Sequence, residues 1–146
     1  MYGLVPYNIS PIQQGIQFGH AVVEYGLFHN DDVYDTWARQ DKTFVILNGG
    51  TTNKSDDHPG SLNTYVDNLA RLGIKASCFY EPDLGDQLTA VVFLLDERIW
   101  DREKFPDHDV HVNSNVSENE YYEEMWGWDW RKILEKRQFI SQFRLA

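Results

Sequence analysis

Ile74-Lys75-Ala76-Ser77-Cys78-Phe79-Tyr80, Glu81-Pro82-Asp83-Leu84-Gly85-Asp86 and Leu88-Thr89-Ala90-Val91-Val92-Phe93-Leu94-Leu95 decide how the chain is read. The outer two segments have strand character, and the six residues between them form a loop. A parallel connection between neighbouring strands needs a crossover of roughly a dozen residues or more. The two strands are therefore either antiparallel or separated within one sheet. The second is apolar at almost every position, the pattern of a strand covered on both faces.

Upstream, Ser61 is placed to cap a helix with Leu62, Tyr65, Val66, Leu69 and Leu72 at helical spacing, and Gly73 stops it. Residues 49–60 are polar throughout and predict an exposed, mobile loop suited to recognising a partner. The Gly49-Gly50-Thr51-Thr52-Asn53-Lys54-Ser55 segment follows a strand, but lacks the spacing of a phosphate-binding loop. Before it, Thr43-Phe44-Val45-Ile46-Leu47 predicts another strand covered on both faces.

At the start, residues 2–8 predict a first strand. Ser10 then serves as N-cap and Pro11 as the first helical residue, because proline lacks only an N–H that is unpaired there anyway. This helix runs to about Phe28. Gly15, Gly19 and Ala21 are expected to let it approach the sheet, with Ile16, Val23 and Leu27 supplying apolar area. Asn30-Asp31-Asp32 ends it and caps a shorter helix over 32–40. The element order β-α-α-β-α-β-β predicts an α/β fold: a three-layer α/β/α sandwich around a four-stranded mixed sheet.

Residues 101–146 differ in character: an acidic stretch is followed by Tyr121, Tyr122, Trp126, Trp128 and Trp130 and a final helix carrying Ile133, Leu134, Ile140 and Phe143. The expected organisation is an α/β domain over 1–100, with the acidic loop and C-terminal aromatic helix of 101–146 packed on that same domain.

The 146 residues are 42% hydrophobic and 14% aromatic, a content that excludes intrinsic disorder. No apolar run approaches the roughly 18 residues of a membrane helix, and Met1-Tyr2-Gly3-Leu4-Val5-Pro6 lacks the features of a signal peptide. A single cysteine, Cys78, reads as a small buried hydrophobe, and the expected compartment is the cytoplasm. Net charge is −10. Up to Trp100 the basic residues are Arg39, Lys42, Lys54, Arg71, Lys75 and Arg98, scattered without the basic stripe that displaces counterions from a nucleic acid. Charge therefore disfavours tRNA as a partner, and a protein with a basic surface fits at least as well.

Gln17-Phe18-Gly19-His20-Ala21 resembles the Ala-Gln-x-x-His-Ala signature in the first helix of archaeal/eukaryotic-type peptidyl-tRNA hydrolases, and Thr89-Ala90-Val91-Val92 is similar to the stretch opening that family's last strand. The likeness spans about residues 2–95. It implies hydrolysis of the ester between peptide and tRNA, with His20 and Thr89 as catalytic residues, Gln17 and Ser77 as substrate-binding residues, and no cofactor. The chain departs from the family in two places. Ser10-Pro11-Ile12-Gln13-Gln14 stands where the family places lysines, and Ser77 falls at the position of its functional aspartate, followed by Phe79 and Glu81 in place of a glycine and a threonine.

Each candidate also has a plainer role. His20 on the first helix can carry a proton or simply order the helix, and Gln17, one turn earlier, shares its face. Thr89 can orient water or be an ordinary β-branched strand residue. His108 and His111 beside Asp107 and Asp109 have metal-ligand chemistry without a metal-binding pattern, so they read as a solvated acidic loop with no metal. Trp126, Trp128 and Trp130 are either an anchor onto the chain's own core or a homodimer or protein-partner contact. The alternative to hydrolysis is thus a catalytically degenerate binding module acting through this acidic, tryptophan-rich tail.

Overall fold

The computed structural model describes residues 1–55 and 57–146; Asp56, within the loop expected over 49–60, lies outside the described residues. Among the described residues, β1 (Tyr2–Val5), β2 (Val45–Asn48), β3 (Ala76–Glu81) and β4 (Gln87–Phe93) form one sheet in the order β2-β1-β4-β3. β1 and β2 are parallel, whereas β4 runs antiparallel to both of its neighbours, β1 and β3. The fold is α/β with a mixed four-stranded sheet. Of the two arrangements open to the last strands, the antiparallel one is realised. Their link makes a 3-10 turn at Pro82–Leu84 and reverses through left-handed Gly85 and Asp86. β4 is interior to the sheet and buried from Leu88 to Phe93, as its unbroken apolar pattern requires.

Helix α1 (Pro11–Phe28) starts as its sequence dictates: the Ser10 hydroxyl accepts from Gln13 N at 3.2 Å and Pro11 opens the first turn. Its buried residues are Gln17, Phe18, Ala21 and Tyr25. Phe18, Ala21 and Tyr25 pack with Val5, Ala90 and Val92 into the core on one face of the sheet. Ile16, Val23 and Leu27 are instead exposed, and a side chain added at Gly15 or Gly19 would meet nothing within 4 Å. The close approach is made from the strand. A Cβ on Gly3 would overlap the Phe18 ring, so a glycine in β1 accommodates an aromatic residue of the helix.

Asp31 caps α2 (Asp32–Thr36) by accepting from Tyr34 N at 2.9 Å, and a π-helical turn at Trp37–Asp41 follows. Helix α3 (Ser61–Arg71) buries Leu62 and Leu69 and packs against β3 and β4; Leu62 also lies close to Leu4, the neighbour of Gly3 in β1 and so on the sheet's other face. Ser61 is the first residue of α3, not its cap. Its hydroxyl donates to Gly49 O at 3.0 Å and accepts from Thr51 N at 2.9 Å. Gly73, at φ 71°, ends the helix, with Gly73 N bonded to Ala70 O and Ile74 N to Leu69 O, both at 3.0 Å.

Two expectations change. The start of the 49–60 loop is tethered: beyond the Ser61 bonds, Asn53 accepts from Leu88 N at 3.1 Å and the Thr52 hydroxyl donates to Leu88 O, while residues 57–59 are exposed as expected. β2 is an outer strand of the four, with Phe44 beside it 56% exposed. Its apolar run finds cover from the chain's last residues. Asn48 N bonds to Arg144 O at 2.8 Å, Ala146 N to Ile46 O at 2.9 Å, and Leu145 bridges Leu47, which occupies an edge that would otherwise be free to pair.

The chain divides into two units, residues 1–94 with 143–146 and residues 95–142. The second contains α4 (Glu97–Trp100), α5 (Glu118–Trp126) and α6 (Trp130–Ser141) around a core of Ile99, Tyr121, Tyr122, Trp126, Trp130 and Ile133. Phe143, read as part of the last helix, lies beyond it in the first unit, edge-on to Tyr65 with ring centroids 4.8 Å apart. Among the described residues no helix is long and apolar enough to cross a membrane.

Gly3→Ala is expected to lower stability by about 1–3 kcal/mol through overpacking against Phe18. Gly15→Ala, which meets no neighbour, is expected to raise it by up to about 1 kcal/mol through helix propensity. Thermal unfolding of the two variants beside the wild type checks both.

Candidate functional site

β4 carries one residue more than β3 has partners for. Phe79 pairs with Ala90 and Tyr80 with Leu88, so Thr89 is the extra residue of a β-bulge. The Thr89 hydroxyl donates to Gln17 Oε1 at 2.6 Å and lies 3.3 Å from Phe79 O. Gln17 in turn donates from Nε2 to Glu81 Oε2 at 2.7 Å. The other Glu81 oxygen accepts from Asp83 N at 3.3 Å, which caps the 3-10 turn. A chain of polar groups thus joins α1 to both strands of the hairpin.

The structure therefore brings together Gln17 and Thr89, and both are buried at 2% and 0% exposure. The hydroxyl proton of Thr89 and the carbonyl of Gln17 satisfy each other. Glu81 is held below the usual glutamate range chiefly by the Gln17 bond, then by the Asp83 N–H, so it is an ionised acceptor at neutral pH with no proton to give.

The other two candidates stand outside this chain. His20 is exposed on α1, with its ring stacked on Phe79 at 4.5 Å between centroids and 21° between planes. Ser77 is buried in β3 opposite Val92. Next to Ser77, burial pushes the Cys78 thiol up to about 11, far from the thiolate a nucleophile needs. Glu81 is the member that sequence patterning missed. Nothing in periodicity marks it, and it enters only as the residue at a family threonine's position.

The second unit holds a different construction. Arg98 donates from Nη1 to Trp126 O at 2.6 Å and to Asp129 Oδ1 at 2.7 Å. The rest of its fork grips Asp96, with Nε and Nη2 at 3.0 and 2.9 Å from the two carboxylate oxygens. Both carboxylates are held below their ordinary range, mainly by these bonds. The clamp spans the turn from α5 to α6, which passes through Gly127 at φ 98°. Trp128, inside that turn, is 89% exposed, whereas Trp126 and Trp130 are 2% and 5% exposed and belong to the unit's core.

Arg137 is buried on the α6 face that also carries Trp130 and Ile133. Its guanidinium lies over the Trp126 ring at 4.1 Å, reaches Asp107 at 3.2 Å and donates to the Arg98 carbonyl. Asp107 is thereby engaged with cations. His108 is engaged in the same unit: its ring Nε2 donates to Val116 O at 3.1 Å, its backbone N–H donates to the Tyr122 hydroxyl, and its ring packs edge-on to Tyr121. The N–H of His111 bonds to Asp109 at 2.8 Å. Among the described residues no three His, Cys, Asp or Glu side chains gather as ligands of a metal would.

Compared with known proteins, the chain matches no family model and no curated sequence.

Thr89→Val keeps the shape of the residue but leaves Gln17 Oε1 without its donor, and is expected to cost about 1–3 kcal/mol. His20→Ala, at an exposed position, is expected to stay within about 0.5 kcal/mol of wild type. Urea unfolding of both measures the contrast. Glu81 has a depressed folded pKa, so its contribution is fully present above the ordinary value of 4.5 and is lost as pH falls through the lower folded value. Below pH 4.5 the unfolding midpoint of Glu81→Gln is therefore expected to fall less steeply with acid than that of the wild type.

Proposed function

We propose that this chain is a catalytically degenerate binding module on a peptidyl-tRNA-hydrolase-like scaffold, and that it holds a protein partner through Trp128. The observation that carries this reading is an almost fully exposed indole carried on a turn whose two ends Arg98 clamps. A backbone fixed before binding loses little conformational freedom on docking, and an exposed tryptophan carried on it is the residue type enriched at interface hot spots. Exposed Glu123, Glu124 and Met125 precede it and Asp129 follows it. With a net charge of −10, the fitting partner offers an apolar pocket rimmed by lysine or arginine.

The hydrolase alternative draws on the resemblance around Gln17, His20 and Thr89. Against it weigh the absence of lysines ahead of that signature and the mutual engagement of Gln17, Thr89 and Glu81, which leaves their polar groups bonded to one another. An ester hydrolysis that develops negative charge needs donors aimed at it. Here the charged member of the group is itself an anion.

Two measurements separate these readings. Trp128→Ala is expected to weaken a protein complex by about 30-fold, the effect of a hot-spot residue worth about 2 kcal/mol, while Thr89→Val and His20→Ala leave affinity unchanged. Single-turnover assays on peptidyl-tRNA at low and moderate salt are expected to show no cleavage. Cleavage that weakens with salt and disappears in His20→Ala would overturn the binding-module reading in favour of the hydrolase.

A further inference from the structure

β2 is an outer strand of the sheet, with β1 on its inner side. Val45 N bonds to Met1 O at 2.9 Å and Gly49 N to Val5 O at 2.8 Å, so these positions face β1. By the alternation of a strand, Ile46 and Asn48 turn both their N–H and C=O groups away from the sheet. Residues 144–146 meet them there, with Leu145 antiparallel to Leu47. Arg144 gives Asn48 only its C=O, and Ala146 gives Ile46 only its N–H. Two pairs with room for two hydrogen bonds each therefore make one apiece.

The hold on this segment is mainly backbone. Arg144, Leu145 and Ala146 are exposed, Leu145 by 74%, while the Leu47 side chain is buried. Phe143, just before them, adds its edge contact with Tyr65. The net gain of one hydrogen bond is of the same order as the backbone freedom lost in ordering one residue. Three residues held by two such bonds sit near balance, the condition under which a segment opens locally while the rest of the fold stays closed.

We infer that the β2 edge is a strand-acceptor site for an extended segment of a protein partner carrying lysine or arginine, and that residues 144–146 are a strap which such a segment displaces. A row of outward N–H and C=O groups takes another extended backbone. The resident strap shows the direction and register in which it docks. A longer strand completes both half-made pairs and continues towards Phe44, which is 56% exposed beside the edge. Because the strap's side chains are exposed rather than seated, the choice of occupant falls to charge. This chain carries −10, and the strap itself brings Arg144. A second copy, equally acidic, is opposed on the same ground. The contact goes beyond the one proposed for Trp128, which belongs to the other unit.

Site-resolved hydrogen exchange on the full chain tests the inference. The probe is an end-blocked synthetic peptide that repeats residues 142–146 and continues in alternating valine and lysine. It is expected to slow exchange at Asn48 and at Ile46, while Val45 and Gly49, bonded on the β1 side, are unchanged. Ala146→Pro removes the N–H that bonds Ile46 O, at an exposed position outside the core. This variant is expected to exchange faster at Asn48 and to bind the peptide at least about 10-fold more tightly than the wild type. Replacing the lysines of the peptide by glutamate is expected to weaken binding at least about 10-fold, and N-methylation of the residues that face the edge to abolish it. No added protection at Ile46 in either chain overturns the inference, as does equal affinity for the wild type and Ala146→Pro. Equal binding of the glutamate peptide overturns the choice of a basic partner. Protection at Ile46 that Ala146→Pro gains without peptide, together with a doubled mass in sedimentation, assigns the edge to a second copy and overturns the partner. Trp128→Ala is expected to leave peptide binding unchanged, so failure here and failure of the proposed function are read separately.

Discussion

Gln17 and Thr89 are buried together, and a buried carboxamide or hydroxyl left without a partner costs more than the bond between them contributes. Satisfying both sets the rotation of α1. With Gln17 turned towards the bulge in β4, Phe18 comes down on Gly3, Ala21 and Tyr25 follow on the same side, and Ile12, Ile16, Val23 and Leu27 are carried to the solvent face. The bulge itself is part of this constraint, because the unpaired extra residue in β4 is the one whose hydroxyl reaches the helix. A polar pair thus decides which apolar residues of the helix are left exposed.

In the second unit the corresponding work falls to two arginines. Arg98 ties the end of α5 to Asp129 and Asp96, and Arg137 lies against Trp126 while bonding the Arg98 carbonyl. Three buried donors, Trp126 Nε1, Trp130 Nε1 and Arg137 Nε, have no hydrogen-bond partner among the described residues. The aromatic core accepts that cost in exchange for the stacking of Tyr122 on Trp130 and its edge contact with Trp126. Trp128 lies between two core tryptophans in sequence but shares none of their burial, since the left-handed turn at Gly127 rotates it outward.

Local signals were legible in the chain. Ser10 and Pro11 start α1, Gly73 ends α3, and the apolar run after Leu88 marks the most enclosed strand, because caps, stops and unbroken hydrophobicity act over a few residues. Candidate-site residues were legible only in part. Gln17 and Thr89 stood out by their motif and do meet, but Glu81, which completes their hydrogen bonding, sits at the end of a strand with no periodic signal. Periodicity also misplaced the inner face of α1, since it counts apolar residues and cannot see that a glutamine is among the buried ones. The same limit hid Arg137, a charge at a position where helical spacing calls for an apolar side chain.

The sequence by itself determined an α/β chain with a mixed sheet, an acidic surface and an aromatic C-terminal region, because composition and short-range pattern follow from the residues alone. Tertiary structure decided the rest: the bulge that directs Thr89, the edge of β2 covered by residues 144–146, and which tryptophan of three remains outside. Each of these depends on groups far apart in the chain meeting in space. Thr89 and Gln17 are 72 residues apart and Arg98 and Asp129 are 31 apart, and no local window of sequence contains both members of either pair.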